Sequence, residues 1–190
     1  MSRVVKAFLV AGALLPGAAL AQQTYEIDPT HTYPNFTVDH LGFSLMHGRF
    51  NETTGTIVMD REGDGSSVSV TIQADSIDTG YDERDEHLRS GDFFDVENYP
   101  EITYESREVI FHDEDSATVL GELTLLGETR PVSLAVSAIN CGENPMSGAA
   151  TCGFNAYATI NRSDFGMNYA LPAVGDQINI RIEAEGILQE

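Results

Sequence analysis

Residues 178–184 read Ile-Asn-Ile-Arg-Ile-Glu-Ala, with an apolar side chain at every second position and a polar one between. A period of two puts the four apolar groups on one face of an extended chain and the polar groups on the other. The same pattern recurs at 68–74 (Val-Ser-Val-Thr-Ile-Gln-Ala), 132–138 (Val-Ser-Leu-Ala-Val-Ser-Ala) and 154–160 (Phe-Asn-Ala-Tyr-Ala-Thr-Ile). Strands with one buried and one wet face are the mark of antiparallel sheets. Working outward, further strands are expected at 24–28, 35–40, 49–60, 101–112 and 118–125. Turn formers separate them at 62–65 (Glu-Gly-Asp-Gly), 112–115 (His-Asp-Glu-Asp) and 126–128 (Leu-Gly-Glu). No helix long enough to cross over a parallel sheet falls between successive strands. The fold class is therefore all-β, with about nine strands arranged as a barrel or a sandwich.

One segment departs from this period. Residues 81–89 (Tyr-Asp-Glu-Arg-Asp-Glu-His-Leu-Arg) carry acid in the first turn and are followed by Gly91, which are helix signals. A second short turn is expected from Asp92, with Phe93 and Phe94. This insertion, 81–95, has the length to lie across one end of a barrel.

At the N-terminus, Arg3 and Lys6 precede an apolar run from Ala7 to Leu20, and Ala19-Leu20-Ala21 supplies a small-x-small site. These features read as a secretory signal peptide cleaved after Ala21. Gly12, Pro16 and Gly17 interrupt the run, which falls short of the roughly 20 residues a membrane span needs. The expected organisation is a signal peptide at 1–21 and one domain at 22–190, with no membrane span in the mature chain. Removing residues 1–21 takes Arg3 and Lys6 from the ten basic residues, leaving eight against thirty acidic ones, a net charge of −22. Nucleic acid is excluded as a partner, because phosphate binding needs a basic footprint. Export also sets the redox context of the only two cysteines. Cys141 and Cys152 flank Gly142, Pro145 and Gly148, and a disulfide clamping a hairpin loop is expected.

Candidates for chemistry are few. The five histidines, at 31, 40, 47, 87 and 112, include no helical pair with zinc-protease spacing and no His-x-His. No metal site is expected. His40 is in phase with Phe36 and Val38, so it points inward, either to a ligand or to a hydrogen-bonded core position. The run Asp82-Glu83-Arg84-Asp85-Glu86-His87 reads as a solvated helix face rather than an enclosed acid/base pair. Nucleophile elbows and phosphate-binding loops are absent. Small residues on inward faces (Ala74, Ala138, Ala156, Ala158, Ala184) leave volume inside the strands. Larger partners opposite fill it, or a bound apolar molecule does; periodicity leaves both open.

Several blocks, in order, resemble the YceI-like family. They are Tyr25-Glu-Ile-Asp-Pro-Thr-His, His40-Leu-Gly-Phe-Ser, Gly48-Arg-Phe, Ile77-Asp-Thr-Gly, Arg84-Asp-Glu-His-Leu-Arg-Ser-Gly-Asp-Phe-Phe-Asp-Val, Tyr99-Pro-Glu-Ile, Gly121-Glu-Leu-Thr-Leu-Leu-Gly-Glu-Thr-Arg-Pro-Val and Arg162-Ser-Asp-Phe-Gly-Met. The resemblance implies a lipocalin-like, extended antiparallel β-barrel of about eight strands. It also implies a periplasmic binding protein, not an enzyme, with no cofactor, whose ligand is a long isoprenoid lipid such as a polyprenyl diphosphate or an isoprenoid quinone. Homodimerisation is an expectation from the resemblance only. The expected strand at 35–40 and the residues that follow it would give Phe36, Val38, His40, Phe43 and Phe50 to the tunnel, and the insertion Phe93 and Phe94. Later strands would add Ile102, Leu123, Leu125, Val132, Leu134 and Val136, then Phe154, Ala156, Ile178, Ile180 and Ile182. Arg84, Arg89 and Arg162 are the candidates for an anionic head group, set against their pairing with the abundant carboxylates. The rival readings are an enzyme acting on a prenyl lipid through Asp85, His87 or His40, and an interaction module with a packed interior.

Overall fold

The structure, a computed structural model, describes residues 22–189; the expected signal peptide lies outside the described residues. Eleven strands follow in order: β1 (Gln23–Ile27), β2 (Tyr33–His40), β3 (Ser44–Phe50), β4 (Thr53–Met59), β5 (Ser67–Gln73), β6 (Ile77–Asp78), β7 (Glu101–Phe111), β8 (Ala117–Leu125), β9 (Glu128–Glu143), β10 (Ala150–Asn161) and β11 (Val174–Leu188). One helix, α1 (Asp82–Arg89), stands between β6 and β7.

All pairings are antiparallel. β1 and β2 lie end to end along one edge of β11. They pair in turn with β4 and β3, and those with β5 and β6. Each of these couples is one long stave bent at a corner. Counted so, eight staves run as an up-and-down meander, closed where β11 meets β1. Closure removes the exposed edges that an open sheet of this size would present.

The stretch 49–60, expected as one strand, is in fact two. Its corner is Asn51–Glu52, where both backbone N–H groups donate to Ser76 Oγ, at 3.2 and 3.1 Å. Residues 44–48 of β3 lie outside the expected strands, because Ser-Leu-Met-His-Gly lacks a clean period of two.

β-Bulges decide which residues face inward. On the β9–β10 ladder Asn155 opposes Ala138 and Ala156 opposes Val136, so Ser137 is an extra residue. One inserted residue flips the phase of everything beyond it. Val132, Leu134 and Val136 therefore face in, and after the bulge Ile139 does. Ala138, expected inward, is displaced from the cavity wall. On β7 the extra residue is Arg107, which lets Ile102 and Tyr104 on one side and Val109 and Phe111 on the other share the inner face.

Cys141 and Cys152 sit directly opposite each other on β9 and β10 and form a disulfide. Closing so short a loop contributes about 3 kcal/mol in the chain-entropy model. Reduction, or a paired Cys141→Ser, Cys152→Ser change, should lower the melting temperature by roughly 10 °C for a domain of this size. Calorimetry with and without reductant measures this; unchanged melting would mean that the bridge adds nothing to the fold.

Two clusters make the core. One gathers Phe50, Ile77, Ile102, Tyr104, Leu125, Phe165 and Met167 beneath α1, with Leu88, Phe93 and Phe94 packed on it. The other gathers Tyr25, Ile27, Ile57, Met59, Ala117 and Ile139 around Cys152. The Tyr104 hydroxyl, with one hydrogen to donate, stands within hydrogen-bond distance of the carbonyls of Val119 and Val132, at 3.1 and 3.0 Å, and burial pushes its pKa up to about 12. Gly121 makes room for it: a Cβ there would stand 2.5 Å from that hydroxyl and 2.6 Å from the Glu105 carbonyl.

Candidate functional site

A cavity occupies the barrel. Its volume is about 260 Å³, measured as the space open to the centre of a water-sized sphere. A single water needs only ~10–15 Å³ on that measure. The wall takes residues from both core clusters, Ile27, Ile57, Met59 and Ile139 at one end and Phe50, Ile102, Leu125 and Met167 at the other. The cavity therefore runs along the barrel. Leu88 of α1, with Phe93 and Phe94 after it, contributes wall at the helical end.

Sixteen of the eighteen residues expected along a tunnel lie on this wall: Phe36, Val38, Phe50, Phe93, Phe94, Ile102, Leu123, Leu125, Val132, Leu134, Val136, Phe154, Ala156, Ile178, Ile180 and Ile182. His40 and Phe43 are placed elsewhere. Phe43 sits in the β2–β3 turn, 87 % exposed, and His40 ends β2 outside the lining, paired with Ser44 at the base of that turn. The walls of β4, β5 and the distal part of β7 went unnamed in the sequence. Val68, Val70 and Ile72 carried the required alternation; Val109 and Phe111 did too, beyond a bulge that hides their phase relative to Tyr104.

The three guanidinium candidates are placed apart, and each is engaged with backbone oxygens. Arg84 donates from Nε to Thr79 Oγ1 (2.7 Å) and from Nη2 to the Thr79 carbonyl (2.8 Å). Arg89 reaches the Asp75 and Ile77 carbonyls, at 2.7 and 2.9 Å. Together they fasten α1 to the segment after β5. Arg162 is different. It is 3 % exposed and touches the cavity wall, yet four of its N–H contacts go to the carbonyls of Gly175, Met167, Tyr169 and Val174, at 2.9–3.0 Å. Burial lowers its pKa, partly offset by Asp176, but an arginine keeps its proton regardless.

The acid/base candidates do not converge on the cavity. Asp85 accepts from the backbone N–H of Thr79 at 3.0 Å and from the Thr79 hydroxyl. His87 pairs with Asp92 at 3.0 Å, and both are about half exposed.

A separate cluster stands at the β1–β2 corner, where Asp28, His31 and Glu185 bring one potential ligand atom each within 4.8 Å of the others. It is first an ion pair, with His31 Nδ1 2.8 Å from Asp28 Oδ2. Hydrogen bonds from Thr30 and then His31 lower the Asp28 pKa, and the bond to Asp28 raises that of His31. A raised histidine stabilises below its unfolded value of about 6.5, and that contribution is lost as pH rises through the folded value. A lowered aspartate stabilises above about 3.9, and loses this as pH falls through its folded value. The pair thus supports the fold between about pH 4 and 6.5. Asp28→Asn should lower the His31 midpoint, read by NMR titration, since the largest cause of its rise is the bond to Asp28; a midpoint that does not move would discount the pair.

Among the described residues no helix is long and apolar enough to cross a membrane. A closed eight-stranded antiparallel barrel with one short helix and an apolar axial cavity defines a lipocalin-like class of protein. The YceI-like domain model matches residues 25–186, and Protein YceI of Escherichia coli is 37% identical over 177 residues, covering 92% of this chain and 91% of that one. The chain belongs to the YceI-like family. Burkholderia cenocepacia BcnA shares the fold with a TM-score of 0.73 at 22% identity, covering 84% of this chain and 98% of that one. A Saccharophagus degradans domain described as polyisoprenoid binding and implicated in plant cell wall breakdown does so with a TM-score of 0.67 at 18% identity, over 87% and 98%.

Proposed function

We infer that the protein encloses a long isoprenoid lipid, a polyprenyl diphosphate or an isoprenoid quinone, in its axial cavity. It does so to carry, store or sequester the lipid in the periplasm after cleavage behind Ala21. The observation that carries this reading is the continuous apolar wall. An isoprenoid chain exposes area worth about 25 cal/mol per Å² in water, and such a wall removes it without directional bonds. The polyisoprenoid-binding description of the Saccharophagus degradans neighbour supports it, as does a disulfide, which persists in oxidising compartments. A packed interior, as an interaction scaffold would have, does not fit a cavity of about 260 Å³.

The test is loading. Delipidated protein titrated with a prenyl quinone and with a prenyl diphosphate should bind at least one of them saturably at one per chain. Fractionation should find a mature chain starting at Gln22 in the periplasm. Failure of both lipids to bind would end the lipid reading; a cytoplasmic chain with residues 1–21 intact would end the periplasmic one.

A further inference from the structure

The turn between β2 and β3 presents bare apolar side chains. Leu41, Phe43 and Leu45 are 51, 87 and 55 % exposed, and every residue from Leu41 to Leu45 faces solvent. The tip is nonetheless ordered. The Phe43 N–H donates to the His40 carbonyl at 3.0 Å, the Leu41 N–H to the Ala173 carbonyl at 2.9 Å, and the Gly42 N–H to Asp39 Oδ1 at 2.9 Å. Leu41 (φ 59°) and Gly42 (φ 73°) are both left-handed, the pattern of a type I′ turn, whose central positions favour Asn, Asp and Gly. A leucine at the first of them strains the turn and gains nothing from the core, and such outliers point to function.

Charge is distributed unevenly between the two ends of the barrel. β3 and β4 form one stave, so the β2–β3 turn and the turn at 60–66 stand at opposite ends. The far end is acidic, with Asp60, Glu62 and Asp64 in one turn and Asp113, Glu114 and Asp115 in its neighbour. At the near end two touching loops, 40–48 and 165–175, contain no Asp, Glu, Lys or Arg. The cavity reaches this end: Val38, Met167 and Val174 lie on its wall, and Val174 pairs with His40 at the base of the turn. α1 borders the same end, where His87 packs its ring on Tyr169, and it is acidic at Asp82, Glu83 and Glu86.

Area and charge together choose the occupant. At ~200 Å² for a whole large apolar side chain, the three leave roughly 400 Å² bare, about half of the ~800 Å² that each partner covers in a stable protein complex. The patch is thus too small to hold a second copy by itself. An anionic surface would be repelled by α1 and by the acidity of the whole chain. An uncharged bilayer suits the patch, because apolar side chains enter lipid without a partner shaped to receive them. Resting on the lipid reading above, we propose that the Leu41–Leu45 tip docks the protein on an uncharged lipid-bilayer surface, with the helical end of the cavity facing the membrane.

Flotation of the mature chain with phosphatidylcholine vesicles, and with the same vesicles containing added phosphatidylglycerol, tests this. The chain should float with the neutral vesicles and less with the anionic ones. Phe43→Ser should weaken binding to neutral vesicles about tenfold, the factor for withdrawing one large apolar side chain from lipid. Leu41→Asn should also weaken it while melting above wild type, a split that a merely structural role would not give. The chain has no tryptophan, so Phe43→Trp supplies a sole indole whose emission should shift to the blue when neutral vesicles are added. Wild-type protein that loads prenyl lipid yet does not float overturns the docking and leaves the lipid reading standing; protein that floats but loads no lipid ends the lipid reading alone. Flotation unchanged by Phe43→Ser overturns the docking, as does tighter binding to the anionic vesicles. A wild-type dimer that Phe43→Ser turns into a monomer, with no vesicle binding by either, overturns it in favour of a second copy.

Discussion

Ala156→Phe should abolish prenyl-lipid binding while the barrel stays folded. Ala156 is 6 % exposed and lies on the cavity wall, paired with Ile182 on β11 and Val136 on β9. A phenyl ring at this place fills space that one isoprene unit would otherwise take. Five carbons at about 0.8 kcal/mol per buried CH₂ amount to roughly 4 kcal/mol, several hundredfold in affinity. The fold should tolerate the ring better than a packed core would, because filling an apolar void recovers part of what the void costs, against ~1–3 kcal/mol for local overpacking. Binding isotherms and melting curves on the same preparation distinguish the cases. Unchanged affinity in a folded variant would place the ligand somewhere other than the cavity.

The second large effect concerns stability. Arg162→Met should cost about 3–5 kcal/mol, because it keeps the apolar stem but strips the donors from four carbonyls, one buried and three part-buried. These carbonyls belong to the loop and strand start between Met167 and Gly175, so one guanidinium organises the whole approach to β11. The 3-10 turn Arg162–Phe165, ending on Gly166 in the left-handed region, aims the side chain at them. Its neighbour Ser163 is tied to Asp176 by backbone and hydroxyl bonds of 2.9 and 2.8 Å. At 2–4 °C per kcal/mol, melting should fall by roughly 10 °C or more. Arg162→Lys should recover little, since an ammonium cannot match the planar fork. A variant that melts within 2 °C of wild type would show that the carbonyls find other partners.

How much of this was legible in the sequence depends on the kind of feature. Faces were legible wherever the period of two runs unbroken, as at Ile178–Ile182 and Val132–Val136, because alternation reports the buried side directly. Faces beyond a bulge were not: nothing in Ala-Val-Ser-Ala-Ile-Asn announces that Ser137 is the extra residue, which moves the inward role from Ala138 to Ile139. β3 was hidden because Gly48 and His47 interrupt the pattern, and the reason for Gly48 lies across the sheet, where Phe36 packs over it. Closure itself came from the resemblance, since alternation fits a sandwich as well as a barrel. The head-group candidates illustrate a deeper limit. An arginine in sequence is a free cation until the partners of its donors are known, and those of Arg84, Arg89 and Arg162 are, the Thr79 hydroxyl apart, backbone oxygens that leave no trace in residue type.

The most direct measurement of the central claim is organic extraction of the protein purified from its own periplasm, followed by mass spectrometry. A prenyl lipid should emerge at close to one per chain, and should be missing from Ala156→Phe prepared in parallel. Repeated preparations that carry no prenyl lipid, or that carry equal amounts in wild type and Ala156→Phe, would contradict the account.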